Sequence, residues 1–422
     1  LKVAFVYPHA VIPVPPVGLS DSLAIVMHEL SSRLATTCDV FVYSKRIRGQ
    51  SRVAVHEGVT YRRVRVLPDR LLGSLELLRF ARRRIPRWPF RMTRLYYPKF
   101  AREVARDIRA RNCDVIHVIS VTSLLPVLRR MNPRARIVLH SEDHALADFA
   151  SNRLTRRLAD ADLVLGCSNF VTNNIRTRLP RLEAGVKTLY NGVRADGNTA
   201  GHLPSARSPG ADTMKILYVG RISPEKGVHV LLDAMRSVWR RDPNVLLQIA
   251  GPHAIAPKEY VDPFDEDFLL RPLRGFYHSP GSYAERLNRQ LNSDKADRVR
   301  YLGAIPNSEL SILYARSDVL VVPSVWHEPF GIPVIEGMAA GLPVIATRGG
   351  AFPEIVADGT TGLLVGRGDA DQLAKAICRL IDNPQQRQSM GKAARERAQN
   401  TFSWDIIADQ LLSYYRSMEG KD

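Results

Sequence analysis

Apolar runs of four to six residues recur along the chain, separated by longer stretches of helical period. Lys2-Val3-Ala4-Phe5-Val6-Tyr7 is apolar and β-branched and stops at Pro8, which predicts a buried strand. A Pro-rich loop, Pro13 to Gly18, follows. Ser20-Asp21-Ser22 then offers N-caps for an amphipathic helix over Leu23–Leu34. Further strands are predicted at Asp39–Tyr43, Asp114–Val118, Arg136–His140 and Leu163–Gly166. Strands this apolar are covered on both faces, so their alternation with helices predicts a parallel α/β sheet.

The pattern breaks at Ala195–Thr213, which is rich in Gly, Pro and Ser and nearly free of apolar residues. It then restarts, with strands at Lys215–Gly220, Val245–Ala250, Val299–Leu302, Val319–Val322 and Pro343–Ala346, and a helix at Val228–Arg240. Two α/β domains are therefore expected, over residues 1–195 and 214–404, joined by a linker at 196–213. The stretch 253–296 is long for one connection, so it reads as an insertion carrying a helix at Tyr283–Leu291.

Composition narrows the class. In 422 residues, 45% are hydrophobic and 24% charged, which excludes a disordered chain. No uninterrupted apolar run approaches the ~18 residues of a membrane span, so a soluble or peripheral protein is expected. Cys38, Cys113, Cys167 and Cys378 form no CxxC pair and sit among apolar neighbours, which reads as buried free thiols in a reducing, cytoplasmic setting. No His cluster has zinc-ligand spacing.

Two stretches carry chemistry. Ser324–Gly366 follows a predicted strand and reads SVWHEPFGIPVIEGMAAGLPVIATRGGAFPEIVADGTTGLLVG. Gly331 permits close backbone approach to a ligand, and Pro333 suits the first turn of a helix. Main-chain N–H groups at Phe330, Gly331 and Ile332 would then be open to an anion or to sugar hydroxyls. Glu336, one turn on, could accept two hydrogen bonds from a vicinal diol or simply complement the helix dipole. The second stretch, Val219–Gly227, places Arg221 and Lys226 at a strand-to-helix turn. Two cations there can clamp a diphosphate, or be two solvated loop charges.

Together, HEPFGIPVIEGMAAGLPVIAT, GGAFPEIVADGTTGLLV, GRISPEKG and the preceding Asn191-Gly192-Val193 resemble the retaining GT-B glycosyltransferases of family 4. The resemblance covers the whole C-terminal half and is weaker before it, where Gly18-Leu19 stands in place of the family's Gly-Gly pair. It implies two Rossmann-like domains facing a cleft, with a last helix, 405–422, crossing back to the first domain. It implies a metal-independent transfer from a nucleotide sugar, with a UDP-sugar the expected donor and no other cofactor. Gly18, Arg221 and Lys226 would meet the donor phosphates, and Glu328 the hydroxyls of the transferred sugar. Phe330, Gly331 and Ile332 would offer N–H groups, Glu336 would hold the ribose, and the base would lie near Gly251 and Gly303. His140 would stand beside the reacting sugar, with Glu142 and His144 as alternatives for that position. His117 reads as packing. A soluble acceptor, or a non-catalytic binding protein of the same fold, are the rival readings.

Charge adds a clue to the acceptor. The chain carries 60 Lys and Arg against 42 Asp and Glu, a net +18. Between Arg62 and Arg111 sixteen cations face four acids, so +12 of that excess lies in one segment. Its centre interleaves Arg82, Arg83, Arg84, Arg87 and Arg91 with Trp88 and other apolar side chains. Such mixing suits an anionic membrane or a lipid-linked acceptor; a solvated basic face is the plainer reading, and no nucleic-acid motif accompanies it.

Overall fold

The structure is a computed structural model and describes residues 1–13, 21–66, 96–182, 185–194, 213–255, 267–279, 281–291 and 297–418. Gly18, the patch Arg82, Arg83, Arg84, Arg87, Trp88 and Arg91, and residues 196–212 lie outside these, as do parts of the 253–296 stretch. The chain divides into two units, Leu1–Asn191 with Trp404–Asp422, and Gly192–Ser403.

The first unit is built on an eight-stranded sheet. Its strands are β1 (Lys2–Tyr7), β2 (Asp39–Lys45), β3 (Val53–His56), β4 (Val59–Val64), β5 (Val115–Ile119), β6 (Arg136–Ser141), β7 (Leu163–Gly166) and β8 (Gly185–Thr188). They run in the order β3-β4-β2-β1-β5-β6-β7-β8, and only β3 is antiparallel to its neighbour. The β3–β4 hairpin and β8 are not among the predicted strands. The hairpin turns on Glu57 and Gly58, both at positive φ, as a two-residue connection demands. β3, at the sheet edge, alternates exposed and half-buried positions, and β4 carries Arg62 and Arg63, so neither shows the apolar run that marks a central strand.

The hairpin changes the charge reading. Arg63 is 3% exposed and donates to the Ile12 carbonyl at 3.1 Å, and burial pulls its pKa down. Arg62 donates to Asp107 at 2.7 Å, and Arg111 to the same carboxylate at 3.0 Å. Arg63 is thus enclosed, while Arg62 and Arg111 stay partly exposed and already share the Asp107 carboxylate.

Asp21 caps the helix Ser22–Leu34, accepting from the Leu23 N–H at 3.0 Å. The last helix, Trp404–Arg416, lies in this unit and packs on Ser22–Leu34. It buries Ile407, Leu411, Leu412 and Tyr415, and leaves Ile406 exposed. Of the four free cysteines, Cys113 and Cys167 are buried while Cys38 and Cys378 are only half-buried.

The second unit holds six parallel strands, β9 (Met214–Val219), β10 (Val245–Ala250), β11 (Val299–Gly303), β12 (Val319–Val322), β13 (Val344–Thr347) and β14 (Gly362–Val365). Their order is β11-β10-β9-β12-β13-β14. Helices Val228–Arg241 and Ala370–Asp382 cover the sheet with one apolar face each, burying Leu231, Met235, Val238, Leu373, Ile377 and Leu380 in a common core. Strand order reverses between β9 and β12. In such sheets ligands bind beyond the carboxyl ends of the strands at that reversal. Both chemically informative stretches leave the sheet there, one after each strand. No helix among the described residues is long and apolar enough to cross a membrane.

Candidate active site

Beyond β9 the chain makes one helical turn, Pro224–Lys226, before entering the helix Val228–Arg241. Beyond β12 it runs through Ser324 to Gly331 and enters the helix Ile332–Ala339. These neighbouring strand ends bring Lys226 and Glu328 together. Lys226 Nζ donates to Glu328 Oε1 at 2.8 Å and to Oε2 at 2.9 Å. The Ser324 hydroxyl donates to Oε1 at 2.5 Å, and Nζ also lies 4.8 Å from the centre of the Trp326 ring. Glu328 is 5% exposed. Burial alone would raise its pKa, but the Lys226 charge and the bonds from Lys226, Ser324 and Trp326 outweigh it and hold the carboxylate below its usual value. Glu328 is therefore ionised and fixed.

Arg221 is held less tightly, by Glu225 Oε1 at 3.2 Å, and its side chain stays 38% exposed. Glu225, missed in the sequence as one more charge between two cations, is 1% exposed. Its main-chain carbonyl accepts from the N–H of Val325 at 2.8 Å and of Trp326 at 3.3 Å, which joins the two loops.

Gly331 sits at φ 113°, and a Cβ there would come within 2.5 Å of the Phe352 ring. Close packing on Phe352, as well as any ligand, requires glycine at this turn. Phe330 is buried and lies edge-on to Phe402, with ring centres 6.0 Å apart. Pro333 falls in the first turn of the helix. Among the described residues, no acceptor is found for the N–H groups of Gly331 and Ile332. Glu336 is half-buried and accepts from the Tyr314 hydroxyl at 2.9 Å. Burial pushes its pKa up to about 7, against that hydrogen bond. Gly251 and Gly303 end β10 and β11 side by side, with the Gly251 N–H donating to the Gly303 carbonyl at 2.7 Å.

His140 stands in the first unit. It lies within β6, 0% exposed, with Nδ1 3.2 Å from His117 Nε2. His117 in turn meets the Tyr415 hydroxyl through Nδ1 at 2.7 Å. On the other side, His140 Nε2 is 3.2 Å from Glu142 Oε1, and Asn191 donates to Glu142 Oε2 at 2.7 Å. Burial lowers the His140 pKa to about 4 and raises that of Glu142 to about 7. His140 is thus a neutral, enclosed ring joined to other side chains of the first unit. The strand runs one residue further than its apolar pattern predicts, which draws this histidine inside.

Two doubly wound parallel sheets, the second with a cation–carboxylate pair where its strand order reverses, define the GT-B class of glycosyl-transfer proteins. Residues 206–397 match the family profile "Glycosyl transferases group 1", and residues 23–196 match "Glycosyltransferase Family 4". The chain belongs to this family of glycosyltransferases. A D-inositol 3-phosphate glycosyltransferase of Kribbella flavida is 28% identical over 435 residues, covering 96% of this chain and 92% of that one. Two solved structures share the fold. The sucrose-phosphate synthase of Thermosynechococcus elongatus aligns over 100% of both chains with a TM-score of 0.73 and 23% identity. Anabaena Alr3699/HepE in complex with UDP-glucose aligns over 99% of this chain and 100% of that one, with a TM-score of 0.67 and 20% identity.

Proposed function

We propose that this glycosyltransferase moves a sugar from a nucleotide donor, a UDP-sugar, to a glycan or lipid-linked acceptor with retention at the anomeric carbon. The bidentate Lys226–Glu328 pair, with Arg221 on the adjoining loop, is the observation that carries the reading. It places two cations and a fixed carboxylate at the strand ends where a sugar diphosphate would lie, and the structure of a similar fold holds UDP-glucose.

The difficult step breaks the bond from the anomeric carbon to the diphosphate. Negative charge grows on the departing phosphate oxygen, and preorganised cations stabilise it most at the transition state. Arg221 and Lys226 serve that charge without a metal ion. Glu328, already ionised, accepts hydrogen bonds from the sugar hydroxyls and so orients the ring. In a same-face displacement the departing phosphate oxygen takes the proton of the acceptor hydroxyl while the new glycosidic bond forms on the face the phosphate leaves. No side-chain base is then needed.

The test is release of nucleoside diphosphate from UDP-, GDP- and ADP-sugars, unchanged by a chelator, with Glu328→Ala and Lys226→Ala alongside. Wild-type rates in both variants would refute the assignment, and an inverted anomer in the product would refute retention. For a membrane-borne acceptor, whose support is the basic segment 79–94, the chain should co-sediment with anionic vesicles and stay in solution with neutral ones.

A pH dependence follows from Glu336. Only its ionised form accepts two hydrogen bonds from the ribose diol. With its pKa at about 7, donor affinity should rise between pH 6 and pH 8 by up to about tenfold, the change in its ionised fraction. Glu336→Gln should flatten that slope in calorimetry. Because the folded pKa is raised, the stability contribution has the opposite sign: it is full below the unfolded value and is lost as pH rises through about 7.

A further inference from the structure

The segment between β10 and β11 reaches the proposed donor loops at two points. Asp267 Oδ2 accepts from Arg367 Nη1 at 2.6 Å, and the same nitrogen donates to the Val325 carbonyl at 3.1 Å. Ten residues on, the Tyr277 hydroxyl donates to Glu225 Oε2 at 2.5 Å. Between these anchors Leu270 and Leu273 are buried in the core of the unit, which fixes the segment against the sheet. The family motifs contain neither anchor; both come from the part of the chain that reads as an insertion.

Glu225 is where the segment meets the chemistry. Its Oε1 accepts from the Ser223 hydroxyl at 2.7 Å and from Arg221 at 3.2 Å, and its Oε2 accepts from Tyr277. A buried carboxylate binds its donors strongly, because few alternatives exist away from water. The Tyr277 hydroxyl occupies the oxygen that Arg221 does not use, and so sets the direction in which the carboxylate points.

We propose that Tyr277 is a positioning residue for donor binding, acting through Glu225 on the Arg221 guanidinium. The proposal rests on the reading of Arg221 as a ligand of the donor diphosphate. Without the Tyr277 hydroxyl, Oε2 loses that donor. The carboxylate turns toward Arg221 and holds it back from the phosphate, with which it competes for the same N–H groups. The insertion thereby tunes the diphosphate subsite from outside the family motifs, and leaves the nucleoside subsite alone.

The experiment is calorimetric titration of the full chain with UDP, GDP and ADP, then with the monophosphate of whichever binds best. Tyr277→Phe should weaken the diphosphate by about tenfold, the scale of one charge-assisted hydrogen bond, and leave the monophosphate within about twofold. In a Glu225→Gln background, which keeps the shape but gives up the charge that would hold Arg221 back, Tyr277→Phe should have little further effect. In an Arg221→Ala background, Tyr277→Phe should have no further effect, since the residue through which it acts is gone. Equal weakening of mono- and diphosphate, or a full additional loss in the Arg221→Ala background, would show a merely structural role and overturn the proposal. So would wild-type affinity in Tyr277→Phe. If the wild-type chain binds none of the three diphosphates, the reading of Arg221 itself fails and the proposal falls with it.

Discussion

Lys226→Ala should lose both activity and stability, whereas Glu328→Gln should lose mainly activity. In the folded chain Glu328 is 5% exposed and its charge is answered by Lys226 through both oxygens. Removing the lysine leaves that carboxylate buried without its cation, which at neutral pH costs about 3–5 kcal/mol. Glu328→Gln removes the buried charge instead, and the partly exposed ammonium can turn toward water. The Lys226→Ala/Glu328→Gln double variant should therefore melt nearer the wild type than Lys226→Ala does, while remaining inactive.

The sign of the pH effect is set by the depressed Glu328 pKa. Its contribution to stability is full above the unfolded value of about 4.3 and is lost as pH falls through the lower folded value. The melting gap between wild type and Lys226→Ala should therefore close in acid. Sugar-transfer rates in Lys226→Ala should fall by about 10²–10³, the range for deleting one preorganised charge-stabilising donor. Equal melting temperatures at pH 7.5 would show that the pair does not carry this energy.

Gly227→Ala should be comparably severe for a different reason. Gly227 ends the turn that carries Lys226, at φ 75°, and an added Cβ would lie 2.0 Å from the carbonyl oxygen of Pro323. That oxygen is backbone at the end of β12, so it has little freedom to yield. The loops after β9 and β12 must move apart, and Lys226 leaves Glu328. Gly281 is a control: its φ is 93° but nothing lies within 4 Å of an added Cβ. Gly281→Ala should cost about 1–2 kcal/mol for the left-handed conformation alone and leave the transfer rate near wild type. Gly227→Ala should reduce the rate by at least about 10², as expected when catalytic groups shift by an ångström. Similar rates in the two variants would mean that the loops absorb the clash.

The central strands were legible because each is built on a short run of apolar residues. β1, β7, β10 and β12 begin and end where the pattern places them. β3, β4 and β8 were not legible, since they alternate or carry charge and lack that signature, and the apolar edge strand β14 is also absent from the predicted strands. The site divides similarly. Gly331, Pro333 and Glu336 could be placed on a helix start from local rules alone. The surroundings of His140 could not be read from the sequence, because whether a residue at a strand end faces solvent or a neighbouring ring depends on what the adjacent strand supplies, here His117 of β5.

By itself, the sequence determined the two parallel sheets, the chemistry-bearing loops and the family, because each rests on residues close together in the chain. Only the tertiary structure decided how those loops combine. Lys226 and Glu328 are 102 positions apart, and Glu225 and Tyr277 are 52 apart. Their pairing depends on a sheet order that sets β9 beside β12 and on the packing of the segment after β10. The physical reason is range. Periodicity and turn chemistry act over a few residues, whereas the ionisation of a buried carboxylate depends on charges that only the fold brings within hydrogen-bonding distance.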